Sequence, residues 1–211
     1  MIAREECGYD LVQEKDAIRA YLESSSIIDF HNQSIKEIAT LLAKGLNTEV
    51  DRIRQIYHYV RDEIKHSADI SGHIVTCNAS EVLKYKQGIC SAKSHLLAAI
   101  LRYLGVPTGF CYQRLYFNIG ETKCIGLHGL NAVFLYSTQK WVRIDARGNK
   151  ASVHAEFLVD QEQLAYTPQA ALGEYDCPII YSKPNKDVVA VLKKYTSVNE
   201  VMRNLPSELD C

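Results

Sequence analysis

The chain lacks a long apolar run, a strong charge of either sign and an apolar leader. No segment approaches the roughly 18 consecutive apolar residues that a membrane helix needs. The formal net charge of −1 gives no electrostatic basis for binding nucleic acid or an anionic membrane. The first residues carry Glu5 and Glu6 instead of an apolar stretch, unlike a secretory signal. We therefore expect a cytoplasmic protein with no membrane or nucleic-acid partner.

Recognisable metal-binding and disulfide patterns are also missing. The chain has seven cysteines, and no two of them have Cys-x-x-Cys spacing. An odd number without an export signal argues against a disulfide framework. His73 and Cys77 are four residues apart, but two ligands do not close a zinc site. No acidic loop shows the alternating carboxylates of a calcium site. We expect neither a metal nor another cofactor.

What is present suits one globular domain. The 211 residues are 47% apolar and 23% charged, which is enough for one substantial core. We expect a single domain over residues 1–211. Its parts are a helical lead-in at about 1–75, a core at about 76–150 and a C-terminal extension at about 151–211.

Helices precede strands in the predicted order of elements. Apolar residues spaced at three and four predict helices through most of the first half. Strand-like runs follow, the last two joined by a tight connection at Thr138-Gln139. This order indicates an α+β fold in which helices pack on an antiparallel sheet. The predicted helices cover 13–22, 35–43, 50–64, 78–88, 90–105 and 187–194, the predicted strands cover 108–117, 129–136 and 140–145, and 152–175 has no assigned element.

Cys90 stands at the start of the most apolar predicted helix, after Gly88-Ile89. Free backbone N–H groups and aligned peptide dipoles at a helix start favour negative charge. They therefore favour the thiolate, which is the nucleophilic form of cysteine. The alternative is a buried structural cysteine, because cysteine is among the most buried residue types.

Two later residues complete a nucleophile, base and orienting group. His128 lies at the start of an apolar strand, and Asp145 follows the strand that contains Trp141. An imidazole can share a proton with a thiol, and a carboxylate can hold that imidazole in one tautomer. Alternatively, His128 is an incidental strand residue and Asp145 ends a strand at a turn.

These stretches, in this order, resemble the transglutaminase-like superfamily. Gly88 to Thr108 is similar to its nucleophile helix and following turn, and His128 and the segment Trp141 to Asp145 resemble its histidine and aspartate motifs. The resemblance covers roughly residues 60–148. It implies a papain-like architecture, with helix and sheet meeting along a cleft, and a catalytic triad of Cys90, His128 and Asp145.

The chain departs from the family pattern beside each motif. Ser91 follows the cysteine where crosslinking members often have Trp, and Leu130 replaces the Trp of the histidine motif. Ala146 stands where Pro usually follows the aspartate. These changes leave the triad intact. The missing Trp residues would line the acyl tunnel, so substrate preference does not transfer with the resemblance.

The sequence offers several candidates for the oxyanion-hole donors and for a base other than His128. The backbone N–H of Cys90 is a natural oxyanion donor, and Gln87 or Tyr85 is a candidate for the second donor. His95 projects from another sector of the nucleophile helix, which is poor geometry for proton transfer. The loop that carries His73 could fold over the cleft. The remaining histidines show no partner pattern and are expected at the surface or boundary: His31, His58, His66 and His154.

The predicted chemistry is acyl transfer at an amide bond of a peptide or protein. Attack by the Cys90 thiolate would form a thioester. Resolution by water makes a peptidase or amidase, whereas resolution by an amine makes a protein-glutamine γ-glutamyltransferase. The missing Trp beside Cys90 favours hydrolysis. The other hypotheses are a non-catalytic peptide-binding domain and a structural or assembly protein. The sequence sets no oligomeric state.

Overall fold

A four-stranded antiparallel sheet is the main β-structure of the protein, whose computed structural model describes residues 10–209. The sheet order is β6-β5-β4-β7. Strands β4 and β5 pair from Thr108↔Val133 to Ile119↔Thr122. Two short parallel pairs, β1 with β8 and β2 with β3, lie outside this sheet. The strands are β1 (Val12–Gln13), β2 (Lys65–His66), β3 (Gln87–Gly88), β4 (Thr108–Ile119), β5 (Thr122–Leu135), β6 (Lys140–Ile144), β7 (Tyr175–Asp176) and β8 (Ile179–Ile180).

The helices fall mostly before the sheet, as predicted. A π-helical turn at Tyr59–Glu63 continues α2, and 3₁₀ turns occur at Ile18–Leu22 and Ala170–Leu172. The α+β fold class and its N-terminal helices packed on an antiparallel sheet are confirmed. The α-helices are α1 (Gln33–Ala43), α2 (Glu49–His58), α3 (Ala79–Tyr85), α4 (Cys90–Tyr103), α5 (Lys186–Lys194) and α6 (Val198–Arg203).

Helix α4 lies in the middle of the core. Every residue from Cys90 to Arg102 is buried, because α4 contacts the sheet through β4 and β5 and also packs on α1, α2 and α3. Its apolar side chains, such as Leu96 and Leu101, are fully buried, and each is worth roughly 2 kcal/mol of transfer free energy. The start of α4 is therefore held rigidly.

Sequence and structure differ at several element boundaries. Strand β5 begins seven residues before the predicted start at 129, because a turn at Gly120 lets it pair with β4 over its whole length. Only the 3₁₀ turn Ile18–Leu22 forms within the helix predicted at 13–22. Helix α5 ends at Lys194, as predicted, and a further short helix, α6, begins after its cap Ser197. The division into lead-in, core and extension stays a prediction.

The extension has little regular structure before β7. Residues 152–169 form bridges and turns, including an isolated bridge between Glu156 and Gln163. Within residues 10–209, no helix combines the length and apolar character required to cross a bilayer.

Candidate active site

Cys90 is the first residue of α4, and its backbone approaches strand β5. The close approach requires glycine at position 129, because a Cβ there would lie 2.6 Å from the Ser91 hydroxyl oxygen. Ile89 precedes the helix and provides no side-chain cap. Helix α4 therefore has no side-chain cap from the residue before it, and the partner of the Cys90 N–H comes from another segment of the chain.

His128 and Asp145 form a buried pair next to this helix start. The His128 Nε2 lies 2.7 Å from Asp145 Oδ2. The same carboxylate accepts backbone N–H groups from Arg147 at 3.0 Å and from Ala165 at 3.1 Å. Asp145 is fully buried. Three hydrogen bonds therefore hold the carboxylate, which holds one ring nitrogen of His128.

The Cys90 thiol and the His128 ring lie close enough for each to shift the pKa of the other, and both line one cleft. Since Nε2 is committed to Asp145, Nδ1 is the nitrogen left to face the sulfur. The structure thus brings together the three residues that the sequence singled out.

The charges of these three groups support one another. Burial alone would raise the pKa of Cys90, but the positive His128 ring, followed by the contact with that ring and the neighbouring His66 ring, lowers it well below that of an ordinary thiol. Burial alone would lower the pKa of His128, but the Asp145 carboxylate and the Cys90 thiolate raise it. Both shifts favour a thiolate–imidazolium pair beside the Asp145 carboxylate.

His66 is a second histidine at the thiol, which sequence reasoning missed. It ends β2, whose parallel pairing with β3 places it beside the residues leading into Cys90. Its Nε2 accepts the backbone N–H of Cys90 at 3.1 Å. Burial lowers the pKa of His66, so the ring is neutral at pH 7. The expected surface or boundary position of His66 is wrong, because this side chain is 7% exposed.

The other candidate donors and bases lie elsewhere. Gln87 is buried in β3, with its Oε1 close to Gly72. Tyr85 is 43% exposed at the end of α3, where the Lys84 ammonium lies over its ring. The His95 Nδ1 lies 2.8 Å from the Cys77 carbonyl oxygen. None of Gln87, Tyr85 and His95 lines the cleft next to Cys90.

The thiol opens into a cleft of about 410 Å³. One part of its wall is apolar and comes from β4, β5 and the C-terminal segment, including Phe117, Leu127 and Leu205. Another part is charged: Arg147 and Lys150 both pair with Asp69, Lys150 at 3.0 Å. The cleft therefore offers surfaces for both apolar and polar parts of a ligand.

Tyr166 covers the histidine from the extension. Its ring packs edge-on against the His128 ring, with 5.0 Å between centroids. The preceding residue, Ala165, donates its N–H to Asp145. The unassigned stretch of the sequence thus supplies two contacts to the site.

Lys93 anchors the surrounding loops from within α4. It is fully buried, and its Nζ donates to the carbonyl oxygens of Arg61 at 3.1 Å, Ile64 at 2.5 Å and Arg147 at 3.0 Å. Burial, followed by the Arg147 charge, lowers the pKa of Lys93 to about 7. The lysine ties the segment before His66 to the segment after Asp145.

The remaining cysteines differ from Cys90. Burial raises the pKa of Cys77 to about 11 and that of Cys111 to about 12. Cys177 is disulfide-bonded, contrary to the expectation of no disulfide framework, because pairing depends on tertiary proximity. Cys7 and Cys211 lie outside the described residues. Residues 10–209 contain no group of three or more His, Cys, Asp or Glu placed to hold a metal.

Comparison with known proteins identifies a family. The family described as the transglutaminase-like superfamily matches residues 36–146, just over half of the chain. No curated protein matches the chain. A solved structure titled "a Putative Cysteine Protease from Cytophaga hutchinsonii" has a TM-score of 0.51 at 16% identity and shows the same fold, over 63% of this chain and 43% of that one.

Two further structures are more distant. One, titled as a putative protease from Parabacteroides distasonis ATCC 8503, has a TM-score of 0.41 at 14% identity, covering 59% of this chain and 25% of that one. Another, titled as a TGase, has a TM-score of 0.40 at 14% identity, covering 86% of this chain and 50% of that one. The matched part is thus at most half the length of these three proteins.

Proposed function

The chain belongs to the transglutaminase-like superfamily, and on that premise we propose that it is a cysteine-dependent acyl-transfer enzyme with Cys90 as nucleophile. One observation carries the proposal. The His128 ring is hydrogen-bonded to the buried Asp145 carboxylate and lies beside the Cys90 thiol at the wall of an open cleft. A nucleophile, a base and an orienting group in contact are the elements of nucleophilic catalysis.

The first half-reaction forms a thioester. The Cys90 thiolate attacks the carbonyl carbon of an amide, and the carbonyl π electrons move onto its oxygen. As the intermediate collapses, the C–N bond breaks and His128 gives its Nδ1 proton to the leaving amine. Asp145 keeps its hydrogen bond to Nε2 throughout, so the ring stays oriented while its charge changes.

The second half-reaction releases the acyl group. The now neutral His128 takes a proton from water, whose oxygen attacks the thioester carbon. The C–S bond breaks, a carboxylic acid leaves, and the thiolate–imidazolium pair is restored. An amine in place of water would give a new amide and make the protein a transamidase.

We favour hydrolysis of a peptide or protein amide. The single tryptophan of the chain, Trp141, packs against the rings of Tyr21 and Phe134 and does not line the cleft. No indole therefore shields a thioester at Cys90 from water. The likeness to a structure titled as a cysteine protease supports the same preference at the level of the fold.

Selective alkylation tests the nucleophile. With limiting iodoacetamide at pH 6.5, mass mapping should find Cys90 modified at least about tenfold faster than Cys77 or Cys111, because the pKa of Cys90 is lowered whereas burial raises the pKa values of the other two thiols. Replacing the half-buried Cys124 by Ser is the matched control and should not alter the labelling. Equal labelling of all thiols would refute the assignment of Cys90.

A second assay separates the two acyl acceptors. Casein is incubated with the protein and with monodansylcadaverine, a fluorescent primary amine. We expect new casein fragments or new carboxylates without fluorescence in the protein band, and neither product from the Cys90→Ala variant. Fluorescent casein would instead assign transamidation, and equal activity of Cys90→Ala would remove the proposed chemistry altogether.

A further inference from the structure

The N–H at the start of α4 is occupied in the resting site. The Cys90 N–H donates to the Nε2 of His66 at 3.1 Å. An oxyanion bound by the same N–H would lie about 2.7 to 3.1 Å from the Cys90 backbone nitrogen. The Nε2 of His66 therefore stands at the place that the oxygen of an attacked carbonyl must enter.

The His66 ring contacts the reacting groups directly. Its Nε2 accepts the Cys90 backbone N–H, the ring lies close enough to the thiol to lower the pKa of that thiol, and it lines the cleft. Its other nitrogen, Nδ1, is buried and has no hydrogen-bond partner within residues 10–209. No partner at Nδ1 therefore holds the ring proton there once Nε2 no longer accepts the Cys90 N–H.

We propose that His66 is the second oxyanion-hole donor: its Nε2 covers the Cys90 N–H at rest, then yields to the substrate oxygen and donates to it. This inference rests on the proposed acyl-transfer function. While Nε2 accepts the Cys90 N–H, the ring proton is on Nδ1. Donation requires the proton on Nε2 and a lone pair on Nδ1, a tautomer exchange that leaves the ring neutral and consumes nothing.

A neutral donor suits this position. Burial and the nearby Arg147 guanidinium lower the pKa of His66 and outweigh the Cys90 and Asp69 charges, so a positive ring is disfavoured there. The Cys90 N–H and the His66 Nε2–H would then converge on one oxygen from two separate elements, α4 and β2. Neither Gln87 nor Tyr85 reaches this position along the cleft wall.

Two reagents separate an oxyanion donor from other roles of His66. p-Nitrophenyl acetate acylates a thiolate through a tetrahedral oxyanion: the C–S bond forms, and p-nitrophenolate leaves with the electrons of its C–O bond. Iodoacetamide alkylates the same thiolate by displacing iodide, and no oxyanion forms. Both small reagents report on Cys90 without knowledge of the natural substrate.

For His66→Leu we expect acylation by p-nitrophenyl acetate to slow about 10²-fold, the loss typical of removing one oxyanion-hole donor. The limiting alkylation rate, measured at a pH high enough to form all of the thiolate, should stay within about threefold. His66→Gln keeps an N–H donor and should be acylated at least about tenfold faster than His66→Leu. His73→Leu makes the same change at an exposed histidine of the loop after β2 and should alter neither rate.

Three outcomes would overturn the inference. If His66→Leu were acylated at the wild-type rate, the only role of His66 would be to cap the start of α4. Faster acylation would make His66 an obstruction of the cleft. Equal losses in acylation and limiting alkylation, shared by His66→Gln, would assign it to positioning of the thiolate. A wild-type Cys90 inert to both reagents would instead refute the proposed function itself.

Discussion

At the scale of single residues, the site depends on how Asp145 is held. The carboxylate is fully buried, a costly position for a charge without partners. It is stabilised by the His128 ring and by the N–H groups of Arg147 and Ala165. Its negative charge helps to raise the pKa of His128, and that positive ring in turn lowers the pKa of Cys90.

Asp145→Asn should therefore weaken the thiolate. Without the carboxylate charge, the imidazolium is less favoured, so the pKa of Cys90 should move up toward that of an ordinary thiol. The pH profile of iodoacetamide alkylation should shift to higher pH, and acyl transfer should fall about 10²- to 10⁴-fold. Asp160→Asn, at an exposed position of the extension, is the control. An unchanged profile would separate Asp145 from the electrostatics of the thiol.

The sequence predicts single residues of the site where a recognisable helix or strand adjoins them. Cys90 precedes a recognisable helix, and His128 and Asp145 border recognisable strands. His66 has no such context: it ends a two-residue strand in a polar stretch, and its partner strand lies beyond α3. Its contact with Cys90 arises from a parallel pairing that no local pattern contains.

At the scale of elements, α4 both presents the thiol and organises its neighbours. The apolar residues of this helix were recognisable as a core helix. The role of Lys93 was not, because its three carbonyl partners belong to loops that are distant in sequence. Burial of an ammonium group is tolerated only where its N–H groups are hydrogen-bonded, as they are here by the three carbonyl oxygens.

Lys93 should make stability depend on pH. Its pKa is about 7 in the folded chain and ordinarily 10.5, so between these values the unfolded chain binds more protons. Stability contributed by Lys93 therefore rises as pH increases from 7 toward 10. The unfolding free energy of the wild type, relative to that of Lys93→Met, should increase by roughly 2 to 5 kcal/mol between pH 7 and pH 10.

Urea unfolding at pH 7 and pH 10 measures this difference. Lys193→Met, at an exposed position of α5, is the matched control, and its difference from wild type should be the same at both pH values. A constant difference for Lys93→Met would mean that the buried ammonium keeps its ordinary pKa.

At the scale of the whole molecule, residues of the C-terminal extension complete the site. Ala165 and Tyr166 contact Asp145 and His128, and α6 leads into a segment along β5. In that segment, the Pro206 carbonyl accepts the Leu127 N–H at 2.9 Å. Leu205 packs against Gly126, where an added Cβ would lie 2.8 Å from the leucine Cβ.

Leu205→Ala should loosen this contact. The side chain is 7% exposed, so its truncation leaves a cavity between the segment and the sheet. We expect a loss of about 2 to 4 kcal/mol in unfolding free energy, measured by urea denaturation. Leu172→Ala, at a leucine that is 46% exposed, should change stability by less than about 0.5 kcal/mol. Equal effects of the two substitutions would contradict the docking of this segment.

By itself, the sequence determined the order of elements, the α+β class and the family resemblance. These follow from apolar periodicity, caps and motifs, which are local properties of the chain. Only the tertiary structure decided that His66 stands at the Cys90 N–H, that Lys93 links two loops and that the extension contacts Asp145. Each of those contacts joins segments distant along the chain, and their free energy comes from burial and hydrogen bonds that exist only once the core has formed.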